Sequence, residues 1–172
     1  EGKILRLRQQ YFFSAASVAD ILGNHLNQYG TLDNLADKVS IQLNDTHPTV
    51  AIPEMMRILL DECGFDWDKA FSICQKVFSY TNHTVLPEAL EKWPLTSLQK
   101  VSPAIADIIV KLDEIAKAEH DDPRVAIIDE YDTVHMAHMD IHFGFSINGV
   151  AALHTKILEL SLIHISEPTR PI

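Results

Sequence analysis

The chain has 172 residues, of which 47% are apolar and 22% are charged, a composition typical of a globular protein that excludes an intrinsically disordered one. Its net charge of −10 makes nucleic acid and anionic membrane surfaces unfavourable partners. No apolar run reaches the length of a membrane span, and no signal-peptide pattern opens the sequence. Cys63 and Cys74 match no zinc motif, so they are predicted to be buried free thiols of a cytoplasmic protein.

A long amphipathic helix is predicted over residues 3–28, because apolar residues recur there at steps of three and four. Gly30 is predicted to end this helix, and residues 31–38 are predicted to form a polar loop. The apolar positions that define the buried face are Ile4, Leu7, Tyr11, Ala15, Val18, Leu22 and Leu26.

Residues 40–48, with the sequence S-I-Q-L-N-D-T-H-P, form the stretch around which the other elements are arranged. Residues 41–43 alternate between apolar and polar, which predicts a short strand with one buried face. Five polar or small residues follow directly, so a loop is predicted at the carboxyl end of that strand, where α/β folds bind ligands. A second polar stretch, residues 80–91, is predicted to face the first across a ligand pocket.

Two helices with clear boundary signals are predicted between these stretches. Pro53 suits the first turn of one helix, and Gly64 ends it. Asp66 is predicted to cap the next helix, whose apolar positions continue to Val77. A brief strand over residues 78–80 then leads into the second polar stretch.

Prolines and a serine divide the second half of the chain. Pro87 is predicted to start a short helical turn that Pro94 closes. Ser102 is predicted to cap a helix that begins at Pro103 and runs to about Ala118. Further predicted elements are a helical turn over 123–128, a strand over 131–134 and a helix over 150–159.

Two histidines and two carboxylates on or beside the polar stretches are candidate sugar ligands, namely Asp45, His47, His83 and Glu91. Sugar hydroxyls donate and accept hydrogen bonds, so they need both kinds of partner, and the Asn82 amide supplies both. Periodicity alone favours a structural alternative, in which Asn44 and Asp45 cap a turn and His47 packs beside Pro48.

A second cluster, His135, His138 and His142, offers a metal-dependent hydrolase as an alternative function. Steps of three and four would align the three rings on one helical face and provide zinc or iron ligands. An extended backbone would separate them, and partly buried histidines bonded to the backbone are the favoured interpretation. No metal site is therefore assigned.

Lys3, Arg6 and Arg8 could hold a phosphate group, but a solvated helix face is the favoured explanation. The sequence contains neither a glycine-rich phosphate loop nor a G-x-S-x-G nucleophile elbow. No lysine stands in a context that marks it as a Schiff-base former.

Residues 41–54, I-Q-L-N-D-T-H-P-T-V-A-I-P-E, resemble the hallmark segment of the α-glucan phosphorylases, the glycogen and maltodextrin phosphorylases. Several long segments that follow the family's order are far more specific than one short motif. The other segments are E-G-K-I-L-R-L-R-Q-Q-Y-F at 1–12, F-D-W-D-K-A-F at 65–71, Y-T-N-H-T-V-L-P-E-A-L-E-K-W at 80–93, V-H-M-A-H-M at 134–139 and I-N-G-V-A-A-L-H at 147–154.

The resemblance implies a helix-rich α/β fold, part of the Rossmann-like N-terminal domain of a two-domain, GT-B-like glycosyltransferase. It implies phosphorolysis of α-1,4-glucan to α-D-glucose 1-phosphate by a full-length, homodimeric parent, and an inactive fragment. Gly23 and Asn24 stand where AMP-regulated animal members carry an arginine pair, so the chain resembles bacterial members more closely. A non-catalytic sugar-binding module is the other alternative.

The implied partners are α-1,4-glucan and inorganic phosphate, and the implied cofactor is pyridoxal 5'-phosphate, bound by a lysine of a C-terminal domain outside this sequence. By resemblance, His83 contacts the glucosyl 6-hydroxyl. Asp45, His47 and Glu91 line the cavity beside the anomeric carbon, where they orient the sugar and favour an oxocarbenium-like transition state. No catalytic acid, nucleophile or cofactor ligand is expected within the chain.

Residues 160–170, L-S-L-I-H-I-S-E-P-T-R, resemble the in-frame translation of a transposon-end sequencing adapter. Residues 160–172 are therefore predicted to be non-native, and residues 1–159 to be part of the phosphorylase N-terminal domain. A natural tail is the alternative.

Overall fold

The computed structural model describes residues 2–84, 86 and 89–150. The start of the turn predicted at Pro87, the tail over 160–172 and all but the first residue of the helix predicted over 150–159 lie outside this part of the chain. The helices are α1 (Gly2–Tyr29), α2 (Leu35–Lys38), α3 (Ala51–Arg57), α4 (Trp67–Val77), α5 (Leu95–Val101), α6 (Pro103–Glu119) and α7 (Met136–Phe143). The strands are β1 (Ile41–Asn44), β2 (Phe78–Asn82), β3 (Lys92–Pro94), β4 (Thr133–His135) and β5 (Ile147–Gly149).

Within the described residues, three strands form a parallel sheet in the order β1-β2-β5. The register pairs Asn44 with Thr81 and Thr81 with Asn148. Helices separate these strands along the chain, as parallel pairing requires. The observed architecture is therefore a helix-rich α/β fold with a small parallel sheet, as the sequence predicts.

A ladder of polar side chains crosses this sheet. The Thr81 hydroxyl accepts a hydrogen bond from Gln42 Nε2 on β1 and donates one to Asn148 Oδ1 on β5, at 2.8 Å. The ladder therefore links all three strands through side chains, in addition to the backbone pairing.

Helix α1 follows the predicted amphipathic pattern with two changes, because Ser14 is buried rather than Ala15, and a second change occurs near the end of the helix. Leu7, Val18 and Leu22 are buried, but Leu26 is 41% exposed. His25 is buried instead, and one of its ring nitrogens lies 2.7 Å from Asn34 Oδ1. The buried stripe follows the 3.6-residue period, so the prediction for Leu26 was wrong by one position.

Helix α3 lies at the centre of the core, and its residues 51–56 are all buried. It begins two residues before Pro53 and continues as a π-helical turn, Ile58–Glu62. Gly64, at φ +69°, ends the turn in the left-handed conformation that glycine adopts without steric cost. Cys74 of α4 is buried, which raises the pKa of its thiol, while Cys63 is half-buried.

The two predicted helix caps are confirmed. Asp66 accepts a hydrogen bond from Lys69 N at 2.8 Å, and Ser102 accepts one from Ile105 N at 3.4 Å. These bonds satisfy backbone donors that the first turn of a helix leaves free.

Three local predictions were wrong. The loop predicted over 31–38 contains α2, which buries Leu35. Pro94 does not close a helical turn but ends β3, which pairs antiparallel with β4. The helical turn predicted over 123–128 is shorter, because the 3₁₀ turn covers only Pro123–Val125. Among the described helices, none combines the length and apolar character needed to cross a membrane.

Candidate functional site

The two predicted polar loops meet at the carboxyl edge of the parallel sheet. Asp45 follows β1 directly, and its backbone N–H donates to Thr81 O of β2 at 2.8 Å. His83 follows β2, and its Nε2 contacts Asn44 Oδ1. Thr84 Oγ1 lies 3.4 Å from both carboxylate oxygens of Asp45. The parallel register of β1 and β2 therefore brings together the loops that carry Asp45 and His83.

Asp45 has the left-handed conformation, with φ 64°. Aspartate tolerates this region better than most residues, yet the conformation is uncommon and tends to occur at functional sites. Asp45 Oδ1 accepts a hydrogen bond from Thr46 N at 2.8 Å, which supports the turn. The turn at Asp45, which the sequence indicates as a structural alternative, is therefore observed. The Asp45 carboxylate also faces the loop that follows β2.

Glu91 connects both loops with helix α1. Its Oε1 accepts a hydrogen bond from Gln10 Nε2 at 2.9 Å and lies 3.9 Å from Arg6 Nη2. Its Oε2 lies 3.3 Å from Thr46 Oγ1 and 3.4 Å from His47 Nδ1. The Glu91 side chain is 12% exposed, whereas the His47 side chain is 57% exposed. The structure therefore brings Asp45, His47, His83 and Glu91 to one end of the sheet.

An open groove of about 360 Å³ lies beside Glu91, between α1 and the loop that follows β1. Asp45 and His83 are not among its lining residues, but His47 joins the groove to the loop that carries Asp45. The lining residues are Arg6, Gln9, Gln10, Phe13, Ser14, His47 and Pro48.

Asn82 is placed differently from the other predicted site residues. It is fully buried, and its Oδ1 accepts hydrogen bonds from Tyr80 OH and Thr84 N, both at 3.1 Å. Its Nδ2 donates to Thr84 O at 2.9 Å. The Asn82 side chain therefore shapes the turn that carries His83.

Neighbouring carboxylates make the electrostatic potential around the site negative. Burial, Asp140 and Asp45 raise the pKa of the Tyr80 hydroxyl. Burial also raises the pKa of Asp140, and Asp45 and Glu91 act in the same direction. A group of carboxylates at one end of a sheet favours ligands that donate hydrogen bonds or develop positive charge.

The histidine cluster has a different arrangement. His138 Nδ1 donates to Ala126 O at 2.7 Å, and His142 Nε2 donates to Val125 O at 2.8 Å. His135 Nε2 lies 2.8 Å from Asp129 Oδ2. Burial lowers the pKa of His138 to about 4 and also lowers the pKa of His142.

Helix α7 does carry His138 and His142, as the metal alternative requires, but the ring nitrogens named above are bonded to protein groups. Within the described ranges, no three histidine, cysteine or carboxylate side chains are grouped to hold a metal ion. The interpretation that these histidines are partly buried and bonded to the backbone is confirmed for His138 and His142.

Sequence reasoning missed Gln10 and Arg6 as members of the site. The two residues are one helical turn apart on α1, so they share a face, and both approach Glu91 across more than 80 positions in sequence. The spacing of Arg6 and Gln10 was a usable signal, but only together with knowledge of what faces that side of α1. The explanation of Arg6 as a merely solvated residue was incomplete.

The fold and the site define an α/β protein with a polar, carboxylate-rich cluster at the carboxyl edge of a parallel sheet. A family profile described as carbohydrate phosphorylase matches residues 1–168. The chain belongs to the carbohydrate phosphorylase family.

Curated relatives in this family are similar over nearly the whole chain. The maltodextrin phosphorylase of Streptococcus pneumoniae is 52% identical over 161 residues, covering 94% of this chain and 21% of the relative. The brain-form glycogen phosphorylase of Bos taurus is 44% identical over 94% of this chain and 22% of its own length. The glycogen phosphorylase of Bacillus subtilis is 43% identical over 99% and 23% respectively. The chain thus spans about a fifth of the length of these relatives.

Proposed function

We propose that this chain is part of the N-terminal, GT-B-like domain of a glucan phosphorylase, which cleaves α-1,4-glucan with inorganic phosphate and releases α-D-glucose 1-phosphate. The observation that carries the proposal is the convergence of Asp45, His47, His83 and Glu91 at the carboxyl edge of the sheet. Family membership supports the substrate class, since the relatives are named for glycogen and maltodextrin.

His83 is suited to bind a sugar hydroxyl. The Asn44 amide oxygen accepts a hydrogen bond from His83 Nε2, which fixes the proton on that nitrogen in the neutral ring. Nδ1 is then left as an acceptor, and His83 is exposed. A glucosyl 6-hydroxyl would donate its proton to this nitrogen, while Asn82 maintains the turn that presents the ring.

Asp45, His47 and Glu91 provide the electrostatic part of the proposed pocket. Carboxylates held by neighbouring hydrogen bonds favour the positive charge that develops on the sugar ring when the glycosidic bond breaks. They are also positioned to orient hydroxyl groups. Neither the acid nor the nucleophile of the reaction is assigned to these residues.

Pyridoxal 5'-phosphate, the cofactor implied for this family, does not fit the groove beside Glu91. Its aldehyde requires a lysine and its phosphate requires cationic or backbone N–H partners. The groove beside Glu91 is lined by no lysine that could bind the aldehyde. Arg6 lines it, but this cation already lies 3.9 Å from Glu91 Oε1, and the adjoining loops carry carboxylates. We therefore propose that the cofactor, and with it the chemical step, depends on a C-terminal domain outside this chain, and that the chain alone is inactive.

The test replaces His83 in the full-length protein, whose gene is obtained by sequencing past the codon for Leu160. His83→Ala should lower kcat/KM for phosphorolysis about 10²- to 10³-fold, the usual loss for one preorganised polar contact. The matched control is His120→Ala, which removes a histidine that makes no contact with this site.

An unchanged rate in His83→Ala would remove His83 from the pocket. Binding of maltodextrin without any phosphorolysis by the full-length protein would replace this proposal with a non-catalytic sugar-binding module. The implied homodimer and cytoplasmic location remain predictions from the resemblance.

A further inference from the structure

Asp140, on helix α7, is completely buried beneath the loops of the proposed pocket. Its Oδ2 accepts a hydrogen bond of 2.7 Å from Thr49 Oγ1, a residue 91 positions away that is also completely buried. Its Oδ1 has no hydrogen-bond partner among the described residues. Burying a carboxyl group costs free energy. A buried carboxyl with a single hydrogen bond to a residue distant in sequence therefore needs a structural or functional explanation.

Thr49 closes the turn that carries the pocket residues. Thr49 N donates to Thr46 O at 3.3 Å, and Thr49 O accepts from Ile52 N at 3.0 Å in the first turn of α3. At the other end of the turn, Thr46 Oγ1 lies 3.3 Å from Glu91 Oε2. The turn that follows Asp45 is thus attached at two points, one to Glu91 and one to Asp140.

The surroundings of the Asp140 carboxyl disfavour its charged form. Burial raises the pKa of this carboxyl well above its usual range; the Thr49 bond opposes that shift, and Asp45 and Glu91 reinforce it.

We propose that Asp140 is a positioning residue for the pocket, because its hydrogen bond with Thr49 fixes the turn that carries His47 and directly follows Asp45. The inference rests on the proposed function of that pocket. Asp140 does not touch the sugar; it acts through the geometry of the turn.

The test compares variants that remove this hydrogen bond with variants that keep it, in the full-length protein. Thr49→Val preserves the shape of Thr49 but removes the donor, and Asp140→Leu removes the acceptor. Both should lower kcat/KM about tenfold to a hundredfold, because misplaced groups lose transition-state contacts. Thr49→Ser retains the hydroxyl and Asp140→Asn retains a carbonyl acceptor, so both should stay within about threefold of the wild type.

A second readout follows the turn directly. Amide hydrogen exchange of a peptide covering residues 44–52 should accelerate in Thr49→Val and Asp140→Leu and remain at the wild-type rate in Thr49→Ser. The control is Asp113→Ala, which removes another buried carboxylate with long-range hydrogen bonds. Because that control also lowers the free energy of unfolding, it is judged by local contrast: exchange should accelerate around residues 125–128 far more than at residues 44–52, and kcat/KM per folded molecule should stay within about threefold of the wild type.

The outcomes separate this inference from the proposed function. If the wild-type protein has no phosphorylase activity, the proposed function fails, and exchange at residues 44–52 decides whether Asp140 fixes the turn. If the wild type is active and Thr49→Val retains its kcat/KM and its exchange rate, the positioning role is overturned. Loss of activity in Thr49→Ser equal to that in Thr49→Val would also overturn it, because the hydroxyl is then irrelevant.

Discussion

Two of the regions that contain histidines differ in the exposure and hydrogen bonding of their imidazole rings. At the carboxyl edge of the parallel sheet, His47 and His83 are exposed; His47 lies 3.4 Å from the Glu91 carboxylate, and His83 contacts the Asn44 amide. On α7, His138 and His142 donate ring protons to the backbone carbonyls of Ala126 and Val125. These two ring nitrogens are therefore already bonded to the protein.

The difference shows that the type and spacing of residues do not by themselves identify a site. The histidines of α7 have the spacing of metal ligands, yet they connect the helix to the segment 125–128, which Asp113 also binds. The loop histidines have no regular spacing, yet their imidazoles lie at the surface, next to Glu91 for His47 and next to Asn44 for His83. The exposure of the rings to a ligand therefore separates the two regions.

The largest expected effect is a loss of stability around segment 125–128, to which the histidines of α7 are bonded. Asp113 Oδ1 accepts hydrogen bonds from Ile127 N and Ile128 N, both at 2.9 Å. Asp113→Ala leaves two buried N–H groups without an acceptor, at about 1–3 kcal/mol each. We expect the free energy of unfolding to fall by roughly 2–6 kcal/mol in urea denaturation of the chain, followed by Trp fluorescence. A variant as stable as wild type would show that segment 125–128 does not depend on Asp113.

The next effect is a pH dependence that comes from His138. Its pKa of about 4 in the folded chain is below the value of about 6.5 expected when unfolded, because burial disfavours the charged ring. Protons therefore bind the unfolded state more tightly between these values. The contribution of His138 to stability is complete above about pH 6.5 and falls by about 3 kcal/mol as the pH drops to about 4.

His138→Gln removes this titration and serves as the comparison. Asp140 acts in the opposite direction, since its raised pKa favours the fold at low pH, but it is present in both proteins and cancels in the difference. Urea denaturation from pH 7.5 to pH 4.5 should show the wild type losing stability relative to His138→Gln. Parallel pH profiles would mean that the His138 ring is accessible to water, which would weaken the distinction between the two regions.

The smallest expected effect is a change in the free energy of unfolding at the exposed loop histidines. His47 has a side chain that is 57% exposed, so His47→Ala should change the free energy of unfolding by less than about 0.5 kcal/mol. The same substitution at the buried His138 should cost several times more, since it deletes a buried donor and creates a cavity. Equal losses at both positions, measured by urea denaturation, would contradict the contrast drawn above.

Local signals in the sequence predicted much of the fold. The apolar period of α1, the cap at Asp66 and the serine-proline start of α6 all depend on interactions within one or two helical turns, and all were found. Strand β3 was missed because Pro94 favours a helix boundary locally, whereas pairing with β4 depends on residues about 40 positions away.

The candidate site likewise contains some residues that local sequence signals predict and others that only tertiary packing brings there. Asp45 and His83 could be predicted, because polar residues after a strand lie at a fixed edge of a parallel sheet. Gln10 and Arg6 could not be predicted as site residues, because only the packing of α1 against the loops brings them to Glu91. The burial of Asn82 also depends on tertiary packing, and nothing in its own sequence neighbourhood distinguishes it from His83.

The polar ladder across the parallel sheet has a consequence for folding. A shift of β5 by two residues would keep its alternation of faces, so burial alone discriminates weakly against that register. Thr81 and Asn148 are direct partners, and such a shift would move the two side chains apart by roughly 6–7 Å. Misregistered sheets would therefore leave the buried Thr81 hydroxyl without its acceptor on β5. In this chain, a hydrogen bond between a hydroxyl and an amide thus adds to the apolar contacts of β5 in selecting the correct alignment.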